Sequence, residues 1–157
     1  DEFNFMLNKD DIDLEALNIL REKTKDKYPD QIYSILMDFE IAQLNYNLNN
    51  FQESLNNLRA INLELEQRGN KASFLKDLSR LRLSLLLISE NEIDEAREIL
   101  NKNFIFFEEL KYEFLGDAEL KSSNQEAARK SYETALELTS SEIHKELIKI
   151  KLSSIIK

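Results

Sequence analysis

The chain has 157 residues, about one domain's length, and only two Gly and one Pro for tight turns. That composition excludes hairpin-rich β folds and leaves an all-α protein. A net charge of −9, with the acids spread along the chain, excludes the clustered Lys and Arg of a nucleic-acid surface. The absence of cysteine excludes disulfide and thiol chemistry, and no apolar run is long enough to cross a bilayer.

In chain order, the apolar segment Phe3-Asn4-Phe5-Met6-Leu7 comes first. A helix over about 11–27 follows, and residues 1–30 form an N-terminal segment with this additional helix. Pro29 and Asp30 fall where one helix stops and the next starts, because Pro fits the first helical position but cannot continue a preceding helix. Helix pairs are then predicted over 31–67 (31–48 and 51–67), 71–102 (71–89 and 92–102) and 105–138 (105–121 and 124–138). Between the first two pairs, Gly69 reads as a helix-ending residue in the left-handed conformation. A last helix, 141–156, is expected to bury Ile143, Leu147, Ile150 and Ile155 or Ile156 and to cap the array.

Three stretches between these helices share one pattern: Asn49-Asn50-Phe51-Gln52-Glu53-Ser54, Asn91-Glu92-Ile93-Asp94-Glu95-Ala96 and Ser123-Asn124-Gln125-Glu126-Ala127-Ala128. Each is a polar break, then an acid in the new helix, then a small residue. Their recurrence marks stacked helix–turn–helix units that together make one domain, 1–157. In the last pair, small residues at Gly116, Ala128 and Ala135 let two antiparallel helices approach, with Tyr112, Leu115 and Tyr132 filling the remaining space. Ser123 and Glu126 form a capping-box candidate.

The order Tyr112, Leu115-Gly116, Ala128, Tyr132, Ala135 resembles the tetratricopeptide repeat. The other pairs keep the frame with different residues: Arg80, Leu83-Ser84, Ala96, Leu100 and Asn103 in one, Ile41-Ala42, Ser54, Leu58 and Ile61 in the other. The resemblance implies a right-handed superhelix of antiparallel helix pairs. From Asn91 onward, N-E-I-D-E-A-R-E-I-L, Gly116-Asp117-Ala118-Glu119-Leu120, Ala128-Arg129 and Lys149-Ile150-Lys151-Leu152-Ser153 look like the soluble domain of the YfgM family. These are ancillary subunits of the SecYEG translocon. That likeness implies a domain on the periplasmic face of the inner membrane, anchored by a helix upstream of Asp1. The implied partners are the translocon and a periplasmic prolyl-isomerase-like chaperone, and the implied task is assisting secreted proteins. A repeat adaptor in another setting, cytoplasmic or an outer-membrane assembly lipoprotein, is the alternative. The start at Asp1, without Met or signal peptide, is read as an excised or mature form.

In such a stack the first helix of each pair lines an inner groove. The expected groove residues are Leu36, Phe39, Gln43 and Tyr46, then Leu78, Leu81, Leu85 and Ile88, then Leu110, Glu113, Asp117 and Leu120. The middle set is entirely apolar, so it is either a partner surface or covered by helix 11–27 or the segment Phe3–Leu7. The aromatic run Phe104, Phe106, Phe107, Tyr112 and Phe114 is expected to pack in the core, with Phe107 and Phe114 on one helix face and Phe106 nearest the surface.

Nothing in the pattern assembles a catalytic, cofactor or metal site. His144 is the lone histidine and reads as a solvated side chain. No metal-ligand spacing or glycine-rich loop occurs, and Glu108-Glu109 and Asp94-Glu95 are adjacent positions that point apart. The expectation is a non-enzymatic protein-interaction scaffold without cofactors.

Overall fold

A computed structural model describes residues 14–28 and 32–155. The described residues form eight α-helices: α1 (Leu14–Lys27), α2 (Tyr33–Asn47), α3 (Phe51–Gln67), α4 (Ser73–Ser89), α5 (Ile93–Leu100), α6 (Glu108–Lys121), α7 (Gln125–Leu138) and α8 (Glu142–Ser154), with a 3-10 turn at Gly69–Ala72. The chain is an all-α, tetratricopeptide-like helical repeat. The segment Phe3–Leu7, Pro29, Asp30 and Ile156 lie outside the described residues.

The three polar breaks fold into one turn, repeated. Asn49, Asn91 and Ser123 all have φ between 62° and 64°. The following amides donate back five residues: Asn50 to Asn45, Glu92 to Leu87, and Asn124 to Glu119, at 2.8–2.9 Å. Asn49, Asn91 and Ser123 themselves donate to Tyr46, Ile88 and Leu120. This double closure satisfies the last carbonyls of the first helix, and the left-handed residue reverses the chain. Asn tolerates that conformation better than other non-glycine residues. Ser123 is therefore not the helix cap expected from its S-x-x-E setting. Asn124 is the cap, its side chain accepting from the Ala127 amide.

The chain divides after Leu63 into two compact units. In the first, Leu17 of α1 packs with Met37 and Ile41 of α2, and Arg21 donates twice to the Asp38 carboxylate, at 2.7 and 3.1 Å. The α2–α3 pair closes at Ala42 and Ser54, whose buried hydroxyl donates to the Ala42 carbonyl at 2.8 Å.

In the second unit α4 packs on α5 and α6, α5 on α6, α6 on α7, and α7 on α8. Ser84 with Ala96 and Gly116 with Ala128 repeat the small-residue positions of Ala42 with Ser54, all of them buried. A Cβ placed on Gly116 would penetrate the Tyr132 ring, so close approach here requires glycine. Gly69 has φ 63°, as its expected helix-ending role demands.

Two sequence expectations are corrected. Helix α6 starts at Glu108, not 105, because Phe107 just before it adopts φ 60°, outside the right-handed helical region. Phe107 therefore does not share a helix face with Phe114. Phe104 is buried and Phe106 is 41% exposed, as expected for those two. Helix α8 is rotated relative to the expectation. It buries Ile148 and Ile155, while Ile143, Leu147 and Ile150 face outward at 78%, 53% and 64% exposure.

Candidate functional site

Helices α4 and α6 are the first members of consecutive pairs, and they lie side by side. Between them is an open depression of about 550 Å³ lined by Leu85, Ile88 and Ser89 of α4 and by Asp117, Leu120 and Lys121 of α6. Leu85 is half exposed, whereas Ile88 is a buried wall residue. The surface is apolar along its α4 side and polar at Asp117 and Lys121.

A sequence profile of tetratricopeptide repeat-like domains matches residues 3–157. The chain belongs to this family. No curated protein and no solved structure shows significant similarity to it. Tetratricopeptide-like domains mediate protein–protein interaction and are generally non-catalytic scaffolds.

Of the twelve expected groove residues, the repeat-like fold brings Leu85, Ile88, Asp117 and Leu120 together around the depression. Leu78 and Leu110 are half-buried. Leu81 and Glu113 are buried, so they belong to the packing of the second unit rather than to an open wall. In the first unit Phe39 is likewise buried, while Leu36, Gln43 and Tyr46 are exposed on α2. Gln43 donates to Asn47, and the Tyr46 ring stands 5.4 Å from that of Phe51. Ser89 and Lys121 line the depression, although the groove pattern does not include them. Their position at helix ends, just before the reversing turns, is the signal that could have placed them.

Two polar clusters hold the second unit together. In the first, Asp77 of α4 is 1% exposed. It accepts from Arg80 at 3.0 Å through one oxygen, and through the other from the Ile105 and Phe106 amides at 2.7 and 3.0 Å. Arg80 also donates to Glu66 at 2.6 and 2.9 Å and to the Asn103 carbonyl at 2.7 Å. Two backbone amides of the α5–α6 connection are thus met by one carboxylate of α4. Burial raises the Glu66 carboxyl pKa, but the Arg80 and Lys102 cations outweigh it and hold the group below the usual range.

In the second cluster Glu113 accepts from Lys151 and from His144 Nε2, both at 2.7 Å. Asp117 accepts from Lys151 at 2.8 Å and from the Tyr132 hydroxyl at 2.6 Å. His144 also meets the Thr139 hydroxyl at 3.0 Å. It is therefore not the solvated side chain expected from its place in the first turn of α8, because that turn faces Glu113. Burial raises the Glu113 pKa, and the hydrogen bonds and charges of Lys151 and His144 bring it below its ordinary value. These groups lock α8 onto α6 and α7. Each acid already holds fixed donors, so the cluster is a structural clamp rather than a set of free reactive groups. Among the described residues no group of His, Cys, Asp and Glu could hold a metal ion, and no helix is long and apolar enough to cross a membrane.

Proposed function

We propose that this domain is a docking scaffold of the YfgM type, working at the periplasmic face of the inner membrane as an ancillary part of the SecYEG translocon. It assists secreted proteins together with a prolyl-isomerase-like chaperone, and its anchor lies outside the chain. The reading is supported by the YfgM-like residues from Asn91 onward and by the repeat-like fold. One observation carries the docking role: Leu85 stands half exposed beside Ile88 and Leu120 in an open depression. A Leu in that position gains about 1 kcal/mol when an apolar partner segment covers it. The depression accepts the apolar side of a helix or an extended segment, with Asp117 and Lys121 fixing its polar edge.

The test compares Leu85→Glu with Leu81→Glu. The first should keep wild-type helicity and thermal stability yet lose capture of SecYEG and the chaperone from inner membranes by tenfold or more. The second should unfold the second unit, because Leu81 is 4% exposed. Undiminished capture by a folded Leu85→Glu protein would remove the depression from the binding site. Failure of the wild-type chain to retain any SecYEG subunit would sink the translocon assignment.

A further inference from the structure

The docking depression and the α8 clamp share two residues of α6. Asp117 and Leu120 line the depression. Leu120 also packs against the core of Ala128, Tyr132, Ala135, Ile148 and Ile155. Both oxygens of Asp117 accept from the Lys151 ammonium at 2.8 Å, and one also accepts from the Tyr132 hydroxyl at 2.6 Å. Lys151 belongs to α8 and does not itself line the depression. Its ammonium also reaches Glu113 at 2.7 Å and stands 5.7 Å from the centre of the Tyr132 ring. The clamp thus puts an acid beside Leu85, Ile88 and Leu120, and the same clamp supplies the cation that meets it. A bare carboxylate there would draw a basic side chain and would resist cover by an apolar one, because burying an unpaired charge is far costlier than burying a methyl group.

We propose that Lys151 sets the specificity of this depression by cancelling the charge of Asp117, a role that rests on the docking reading of the surface. The segment admitted is then apolar and carries no basic residue against α6. Each Asp117 oxygen already holds a donor, so a partner's Lys or Arg has to compete with an ammonium fixed by the fold. Lys121 on the same wall has no ion-pair partner among the described residues, and it disfavours a second cation beside it. The helix ends do not supply a replacement acceptor through their last bonded carbonyls. Those of Leu86, Leu87 and Ile88 in α4 and of Ala118, Glu119 and Leu120 in α6 are taken by amides of the reversing turns. Lys151 acts through Asp117 and is therefore a positioning residue. Ile148 and Ile155 are buried and anchor α8 without it, so its charge can be removed while the helix stays docked.

The experiment measures fluorescence anisotropy of two labelled amphipathic peptides of about 12 residues with the same leucine spacing. One carries Lys at every polar position and the other Gln. At about 0.15 M salt, charges more than about 8 Å apart are screened, so the ratio of the two dissociation constants reports on the wall itself. Lys151→Met should shift that ratio toward the Lys peptide by about fivefold relative to wild type, the upper range for a partly exposed ion pair. Adding Asp117→Asn to Lys151→Met should return the ratio to its wild-type value, which a mere loss of packing would not do. Lys149→Met makes the same change in net charge on an exposed part of α8 and should leave the ratio unmoved. Asp117→Asn alone should keep the ratio within about twofold of wild type, because the charge it removes is already cancelled. This near-isosteric change decides the matter even where Lys151→Met loses helicity. A ratio that a folded Lys151→Met protein does not move, or that the double variant does not restore, would overturn the proposal. So would an Asp117→Asn protein that loses affinity for the Lys peptide by about fivefold, since Asp117 would then be open to a partner's cation. Peptide binding that Leu85→Glu leaves intact would instead defeat the docking reading, and a wild-type chain that binds neither peptide would overturn both.

Discussion

Helix pairs α4–α5 and α6–α7 occupy the same frame in the second unit yet are held together by different chemistry. In α6–α7 the close approach is a glycine under an aromatic ring: Gly116 lies against Tyr132, which is fully buried and bonds through its hydroxyl to Asp117. In α4–α5 the equivalent positions are Ser84 and Leu100, and a Cβ fits because no ring needs the space. Where the α6 helix has Tyr112, α4 has Arg80, and burying that guanidinium recruits Asp77 and Glu66. The lesson is that the repeat keeps the positions of contact between helices, not the residues. Each pair fills those positions with a matched set, and members cannot be exchanged one at a time.

The largest effect should come from breaking the charged solution. Asp77→Ala strands a buried Arg80 on that side and leaves the Ile105 and Phe106 amides without an acceptor. The loss should be about 3–5 kcal/mol in urea unfolding. Loss of less than about 1 kcal/mol would mean that water replaces the carboxylate easily and that the cluster is not what fixes the α5–α6 connection.

Next comes the aromatic solution. Gly116→Ala forces a methyl into the Tyr132 ring and should cost about 2 kcal/mol despite Ala's better helix propensity. In a Tyr132→Leu background, which copies the Ser84–Leu100 arrangement, the same change should become stabilising by up to about 1 kcal/mol. A double-mutant cycle should therefore give a coupling of about 3 kcal/mol. Additive effects would break the claim that the two pairs differ by matched sets.

This division also explains what is legible in the sequence. The three turns, the small-residue positions, the glycine and its tyrosine, and the buried Phe104 follow from spacing, because helical periodicity maps directly onto a face. The polar clusters do not, since the partners of Asp77 lie 28 and 29 residues away on backbone amides that carry no residue signal. The face of α8 escapes sequence reading for a related reason. Counting apolar residues selects the stripe Ile143, Leu147 and Ile150, but the Glu113 and Asp117 carboxylates draw His144 and Lys151 inward and rotate that stripe out. At the candidate site, the register of α4 and α6 is enough to place four of the lining residues. Which leucines stay open depends on the neighbouring helices, so periodicity alone does not tell Leu81 from Leu85.

A smaller and pH-dependent effect separates the pairs further. Glu113 and Glu66 both have folded pKa values below their ordinary 4.5. Each therefore contributes stability that is fully present above that value and is lost as pH falls through the lower folded pKa. Acid titration of stability should show this fall below about pH 5, and Glu113→Gln should flatten part of it. Because Glu113 clamps α8, hydrogen exchange in α8 should accelerate on acidification, and Glu113→Gln should remove that response while leaving α4 unchanged. A change of protection in α4 in that variant would mean that the two clusters do not act separately.

The smallest expected effect tests the frame itself. Ser84 is fully buried at the small-residue position of α4, and its hydroxyl has no hydrogen-bond partner among the described residues. Ser54, at the small-residue position of the second helix in the first pair, is also buried, but its hydroxyl donates to the Ala42 carbonyl at 2.8 Å. Removing an unmet buried hydroxyl relieves a desolvation cost and raises helix propensity, whereas removing a bonded one forfeits a contact. Ser84→Ala should therefore stabilise by about 1 kcal/mol, and Ser54→Ala should destabilise by about 0.5–1 kcal/mol. Both are read as shifts in urea midpoint at constant slope. The two signs are predicted from the two facing small-residue positions of the repeat, so equal signs would show that the small residue is tolerated for its size alone and that its hydroxyl does not matter. Opposite signs would tie the choice between Ser and Ala at these positions to what the facing helix offers across the gap.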